Sequence, residues 1–305
     1  MLPFKSLISS SQLTPGIIKT IFSATDSMAE RIESEGRIDL LDDKVVALLF
    51  FEPSSRTMMS FQSAAQRLKA GMVFAQNASS TSFEKGESLE DLIRMVESYA
   101  DIIVMRHALP GSAKIAADTS AVPFINAGDG GNEHPTQSLI DAYTIYKEKG
   151  RLDNLNIVFG YDSLQSRSIH SLSRLLSQYA NNRFTFTGPT ELFPSPSMLN
   201  ELHANGVDCE VRSEVRLHDG YDVAYINRLQ EERFEDKALF DKNRRRFRLN
   251  REDVEGSECL ILDPLPRIDE ISTEVDALPN AVYFKQASYG VPVRMALLAM
   301  LLDKF

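Results

Sequence analysis

From Phe50 to Thr57 the chain reads Phe-Phe-Glu-Pro-Ser-Ser-Arg-Thr. An apolar run ends there, and the hydroxyls of Ser54, Ser55 and Thr57 gather with the Arg56 guanidinium where a helix would begin. Backbone amides at a helix start bind anions, and hydroxyl and guanidinium groups add donors around the same point. The segment therefore reads as a grip on a phosphate-like group. Read alone, it is equally an ordinary capped helix start, since Ser and Thr are common caps. No Gly-x-x-x-x-Gly-Lys-Ser/Thr pattern occurs, which excludes a nucleoside-triphosphate P-loop.

Four more places carry polar groups beside glycine or after apolar runs. Ser79-Ser80-Thr81-Ser82 precedes Lys85-Gly86-Glu87, a polar turn that carries one lysine. Arg106-His107 follows Val104-Met105 directly, where ligands of open α/β sheets bind. Asn126-Ala127-Gly128-Asp129-Gly130-Gly131-Asn132-Glu133 is a glycine-rich turn that delivers His134 and Gln137 to a helix start. In the second half, Arg167 precedes Ser168, Arg228-Leu229-Gln230 follows an apolar run, and Asp263-Pro264-Leu265-Pro266-Arg267 follows another. Two arginines on one sheet edge fit bidentate binding of carboxylates, and each has acids enough to pair with instead.

These groups need a frame. Strands are predicted at Val45–Phe51, Met72–Ala75, Ile102–Met105, Val122–Asn126, Asn156–Gly160, Phe184–Thr187, Asp222–Ile226, Cys259–Leu262 and Val282–Phe284. The runs are nearly continuous in apolar residues, as in parallel strands covered on both faces. Helices are predicted at Ser60–Leu68, Glu87–Ala100, Ser138–Glu148 and Ser168–Gln178, and Val291–Leu302 should be buried. Strand and helix alternate in two blocks, which implies two doubly wound α/β domains with mainly parallel sheets. The break is placed in Lys147–Asn154, giving domains 1–150 and 151–285. A helix from about His134 bridges them, and a C-terminal helix, about 286–305, packs back on the first.

The chain has 305 residues and a net charge of −10, which argues against a general nucleic-acid surface. The basic run Lys242 to Arg248 reads as a solvated helix end or as a focus for an anionic ligand. No apolar run approaches the roughly 20 residues needed to span a membrane, and Met1 to Gln12 lacks the pattern of a secretory signal. Cys209 and Cys259 do not make a disulfide framework or a metal-ligand spacing, so a reducing cytoplasm is expected.

In this order and spacing, FFEPSSRT, KGES, IVMRH, NAGDGGNEHPTQ, RLQEER and PLPRIDE closely resemble the catalytic chains of the aspartate carbamoyltransferase family. The resemblance runs from about Phe50 to the end. It implies a carbamoyl-phosphate domain and an aspartate domain, active sites shared between neighbours in a homotrimer, and no metal or cofactor in the site. The implied reaction joins carbamoyl phosphate and L-aspartate to give N-carbamoyl-L-aspartate and phosphate, in pyrimidine biosynthesis. Separate regulatory chains are possible partners, with no nucleic acid and no membrane.

The resemblance also implies roles. Ser54, Ser55, Arg56 and Thr57 would hold the phosphate, with Arg106 reaching phosphate and carbonyl oxygen. Thr57, Arg106 and His134 would stabilise the charge that grows on that oxygen. Gln137 and the carbonyls of Pro264 and Leu265 would hold the carbamoyl amino group. Arg167, Arg228 and Gln230 would bind the two carboxylates of aspartate, beside Leu265. Lys85, with a hydroxyl of Thr81 or Ser82, would enter from the adjacent subunit and also reach aspartate. The departing phosphate would take the amine proton, and Glu52 would pair with Arg167 as the domains close.

Three positions depart from the family pattern. Ser55 stands where Thr is usual and keeps the hydroxyl. Asp263 stands where His is usual, adding a carboxylate near anionic substrates. Tyr161-Asp162-Ser163-Leu164-Gln165-Ser166 lacks the glycines and lysine usual before Arg167. Ornithine carbamoyltransferase is the nearest alternative, but it has His-Cys-Leu-Pro where this chain has Asp263-Pro264-Leu265-Pro266, and it lacks the arginine pair. A non-catalytic relative is a further alternative, resting on the altered loop alone.

Overall fold

The computed structural model describes residues 2–76, 86–229, 231 and 234–305. The chain separates into two compact units, one of residues 1–140 with 289–305 and one of residues 141–288. Each is built on its own parallel sheet.

The first unit opens with α1 (Pro15–Glu35), which has no counterpart among the predicted helices. Its signals are local: Pro15 occupies the first helical turn, and Gly36 ends the helix at φ +72°. Ile18, Ile21, Phe22 and Met28 make the buried stripe. There follow β1 (Val45–Phe50), α2 (Ser55–Arg67), β2 (Gly71–Gln76), α3 (Leu89–Val96), β3 (Ile102–His107), α4 (Ser112–Thr119) and β4 (Phe124–Asp129). The sheet order is β2-β1-β3-β4, all parallel. β1 and β3 are central and almost wholly buried, as continuous apolar runs require. β2 is an edge strand and departs from that expectation: Val73 is 37% and Phe74 65% exposed. On the far side the N-terminal segment adds a bridge, Leu7 donating to Phe124 O and accepting from Asn126 N, both at 2.8 Å.

The helix α5 (Pro135–Lys149) leads into the second unit. There follow β5 (Asn156–Gly160), α6 (Arg167–Leu176), β6 (Arg183–Thr187), α7 (Pro196–Ala204) and β7 (Asp208–Arg212). Next come β8 (Val223–Ile226), α8 (Lys237–Arg246), α9 (Arg251–Val254), β9 (Leu260–Leu262) and α10 (Tyr283–Leu301). The second sheet runs β7-β6-β5-β8-β9, again parallel. β7 has no counterpart among the predicted strands, because Asp-Cys-Glu-Val-Arg is no apolar run and the strand lies exposed at the edge. The strand predicted at Val282–Phe284 is corrected to the start of α10. Only Ala281 bridges Ile261, Val282 N donates to Ile261 O at 3.0 Å, and Phe284 is 55% exposed, so no ladder continues.

The end of α10 returns to the first unit, where Met295 to Leu301 are buried. There Arg294, itself buried, donates to Ser60 Oγ at 2.8 Å with its guanidinium 4.9 Å from the Phe61 ring centre. Among the described residues no helix is long and apolar enough to cross a membrane.

Candidate active site

In the first sheet the chain leaves β1 toward β2 on one side and reaches β3 on the other. The carboxyl ends of β1 and β3 therefore flank a topological switch point, where ligands of such sheets bind. Phe50 and Arg106 are register partners there, and Phe51 N donates to Arg106 O at 2.9 Å. The next residues of both strands carry the polar groups. Arg106 Nε bonds Glu52 Oε2 at 3.0 Å, the arginine side chain being 13% exposed.

The predicted phosphate grip is the start of α2. Ser54 is the N-cap residue, yet its side chain makes no cap bond. The Met58 amide bonds Ser54 O at 3.3 Å, and the amides before it belong to the first turn, where a helix has no intrahelical partner for them and anions bind. Thr57 is buried, whereas Ser55 and Arg56 are exposed.

His134 and Gln137 reach the same sheet edge through a turn that is itself held by buried polar groups. Asp129, 1% exposed, accepts from Gly111 N at 2.9 Å, Asn132 Nδ2 at 3.0 Å, Asn126 Nδ2 at 2.9 Å and Glu133 N at 3.2 Å. Gly130 sits at φ +55°, and a Cβ there would lie 2.7 Å from Ala108 O, so both conformation and space demand glycine. Glu133 is tied to the N-terminal segment, accepting from Ser9 Oγ at 2.9 Å and Ser10 Oγ at 3.1 Å. His134, 5% exposed, has Nδ1 3.4 Å from Thr136 Oγ1, and its carbonyl accepts from Gln137 N at 2.9 Å. The sequence pointed to the histidine and glutamine. The acids that fix the turn, Asp129 and Glu133, carry no signal beyond lying inside a glycine-rich segment.

His107, beside Arg106, has a different place. Its Nδ1 accepts from Leu109 N at 3.0 Å, and burial first of all pushes its pKa down, against the pull of Glu52 and Asp129. The neutral ring shapes the turn after β3.

The second sheet repeats the arrangement, with its switch point between β5 and β8. Gly160 and Ile226 are register partners, and each strand leads into one of the predicted arginines. Arg167 opens α6 behind Ser166, whose Oγ accepts from Ile169 N at 3.4 Å, and Arg228 follows β8 by two residues. Both are half-buried. The unusual loop between β5 and α6 is packed inward. Tyr161, Asp162 and Ser163 are buried, and the Tyr161 ring lies 5.3 Å from that of Phe247. Asn227 accepts from Asp162 N at 3.2 Å, while Leu192 O accepts from Ser163 N at 3.0 Å and Leu164 N at 2.9 Å. Buried contacts thus hold the loop that leads into Arg167. Pro264 and Leu265 follow β9, and Leu265 holds φ +56°, a left-handed conformation costly for a branched side chain.

Thr81, Ser82, Lys85 and Gln230 lie outside the described residues. Of the cysteines, burial pushes Cys209 to about 11 and Cys259 to about 12, so neither is a thiolate nucleophile near neutral pH.

Residues 5–147 match the family model for the carbamoyl-phosphate binding domain of aspartate/ornithine carbamoyltransferases. Residues 153–301 match the Asp/Orn binding domain of the same enzymes. The chain belongs to the aspartate/ornithine carbamoyltransferase family. Among its relatives, the aspartate carbamoyltransferase catalytic subunit of Methanocaldococcus jannaschii is 43% identical over 300 residues, covering 98% of each chain. A crystal structure of that catalytic subunit superposes with a TM-score of 0.93 at 42% identity, covering 98% of each chain. The Trypanosoma cruzi aspartate transcarbamoylase in complex with carbamoyl phosphate and aspartate gives 0.90 at 34% identity, covering 97% of this carbamoyltransferase chain and 96% of its own.

Proposed function

We propose that this chain transfers the carbamoyl group of carbamoyl phosphate to the amine of L-aspartate, giving N-carbamoyl-L-aspartate and phosphate, in pyrimidine biosynthesis. The observation that carries this is the pairing of chemistries at the two switch points. One has an open helix start with Arg106 beside it, and the other has two arginines, Arg167 and Arg228, at adjacent strand ends.

Ser54, Ser55, Arg56 and Thr57 bind the phosphate. Thr57, Arg106 and His134 donate to the carbonyl oxygen as it gains charge, which is worth most in a buried setting. Gln137 and the Pro264 and Leu265 carbonyls hold the carbamoyl amino group. Arg167, Arg228 and Gln230 take the aspartate carboxylates, with Lys85 and Leu265 beside them. The aspartate nitrogen attacks the carbamoyl carbon, the carbon–oxygen bond to phosphate breaks, and the leaving phosphate carries off the amine proton. Most of the rate then comes from positioning and charge stabilisation.

Lys85, with Thr81 or Ser82, serves the site of a neighbouring copy in a homotrimer. The exposed apolar pair Val73 and Phe74, on the strand that leads toward that segment, supports a surface covered by another chain. The enzyme works in the cytoplasm, in keeping with two free cysteines, and its relatives' designation as catalytic subunits supports a further regulatory chain.

Steady-state assays with carbamoyl phosphate and either aspartate or ornithine test the reading. Turnover with aspartate is expected, and preference for ornithine, or no turnover in assembled protein, would overturn it.

A further inference from the structure

Asp263, the residue standing where its family usually has histidine, is 2% exposed at the end of β9, and Glu270, seven residues on, is also 2% exposed. The turn between them carries the Pro264 and Leu265 carbonyls. Each carboxyl uses one oxygen to hold this turn: Asp263 Oδ1 accepts from Leu265 N, and Glu270 Oε2 accepts from Ile268 N and Asp269 N at 2.9 Å each. The other oxygens, Asp263 Oδ2 and Glu270 Oε1, are buried and have no donor among the described residues.

Two ionised carboxylates are acceptors only, so neither orphan oxygen can satisfy the other while both groups are charged. One proton between them satisfies both and removes the repulsion. The surroundings do not supply a substitute. Arg267, the cation that reaches Asp263, is bonded to Asp276 and to the Tyr283 hydroxyl. Tyr225 on β8, beside Asp141 of α5, faces Asp263, and Tyr161, beside Asp253, faces Glu270, which adds acids and hydroxyls. Burial first, and the Glu270 carboxyl second, hold Asp263 well above the ordinary carboxylate range.

We propose that Asp263 and Glu270 share a single proton, and that this proton clamps the 263–270 turn in the shape that presents the Pro264 and Leu265 carbonyls to the carbamoyl amino group. The pair is a positioning element for the reaction, and its role in binding rests on the function proposed above. The left-handed Leu265 gives it work to do: a backbone strained at φ +56° persists only where neighbours over-determine it, and the Leu265 amide is held by Asp263 itself. When the proton leaves, two buried charges repel, the turn opens and the carbonyls lose register.

Equilibrium unfolding of the full chain across pH reads the proton without any substrate. The folded chain keeps a proton that the unfolded chain releases near pH 4. The pair's contribution is therefore complete below that value and declines as pH rises toward the raised folded-state value. One proton corresponds to about a tenfold change in the unfolding constant per pH unit. Asp263→Asn donates to Glu270 and still accepts from Leu265 N, so its unfolding should lack this slope; Glu270→Gln tests the same from the other side. An unchanged slope in both variants overturns the shared proton. In steady-state assays, wild-type KM for carbamoyl phosphate should rise about tenfold as the proton is lost, roughly the penalty of one hydrogen-bonded contact. Asp263→Ala should carry that rise at every pH with a smaller effect on kcat, and Asp263→Asn should recover most of it. A slope that vanishes while KM stays constant overturns the positioning role. Absence of carbamoyl transfer in the wild type overturns the proposed function instead, and the unfolding measurement still decides the proton.

Discussion

Arg106 Nε donates to Glu52 Oε2 at 3.0 Å, joining the ends of the two central strands of the first sheet. The guanidinium is planar, so one directed bond to a carboxylate restricts the whole fork. Arg106→Ala should lower kcat on the order of 100- to 1,000-fold, the scale for losing an oxyanion donor, with an unfolding midpoint close to wild type. Glu52→Ala keeps the donor and loses its guide, so a smaller fall, about tenfold, is expected. Steady-state kinetics with circular dichroism separate the two effects, and full activity in Arg106→Ala would remove that residue from the mechanism.

Asp129 concentrates four hydrogen bonds on one buried carboxyl. Asp129→Ala leaves those donors unmatched and should destabilise the chain by about 3 kcal/mol, read as a lower urea midpoint. Gly130→Ala should act through the same turn, because its Cβ would meet Ala108 O at 2.7 Å. Turnover should fall in both as His134 is displaced.

The placement of these candidate residues was legible in the sequence because they follow apolar strands, where topology alone decides which edge they share. Arg106, His134 and Arg167 could be named without knowing a single contact. What could not be read is the support. Asp129 and Glu133 act through bonds to residues far away in the chain, such as Gly111 and Ser10. The edge strand β7 is hidden because it is too charged to look like a strand, whereas β2 is legible as a strand and only its exposure, at odds with its apolar residues, is not. Tyr283 and Phe284 look like a strand by residue type, and only the helix that follows decides otherwise.

His107 gives a pH dependence of opposite sign to that of Asp263. Its folded-state pKa lies below the value of about 6.5 for an unfolded histidine, so between the two the unfolded chain carries the extra proton. Stability should rise with pH through that window and be lost as pH falls below about 6.5. His107→Gln should flatten the acid limb of a thermal-unfolding profile, and an unchanged limb would mean that the ring is not the titrating group.

Arg167→Ala and Arg228→Ala should each raise KM for aspartate about 100-fold, the scale of a lost charge-assisted contact, with KM for carbamoyl phosphate little changed. Lysine at either position should recover only part, since it lacks the bidentate fork. Equal loss of both substrates would point to a folding defect in the β5–α6 loop.

Mixing Arg56→Ala and Lys85→Ala chains after gentle dissociation should restore activity that neither has alone. A site with the first chain's Lys85 and the second's Arg56 is complete in every assigned group. Mixed assemblies, verified by native mass spectrometry, that recover nothing would argue for sites confined to one chain.

The two outer strands at the start of each sheet order differ in how they meet solvent. β7 places Asp208, Glu210 and Arg212 along its length, and such charges discourage another strand from adding to it. β2 reads Gly-Met-Val-Phe-Ala-Gln, without a single charge. The first edge is guarded by its own side chains, whereas the second presents exposed apolar residues with no such guard. A freshly made chain is therefore most open to aggregation at β2, and its yield on refolding should fall as protein concentration rises unless another chain covers that edge.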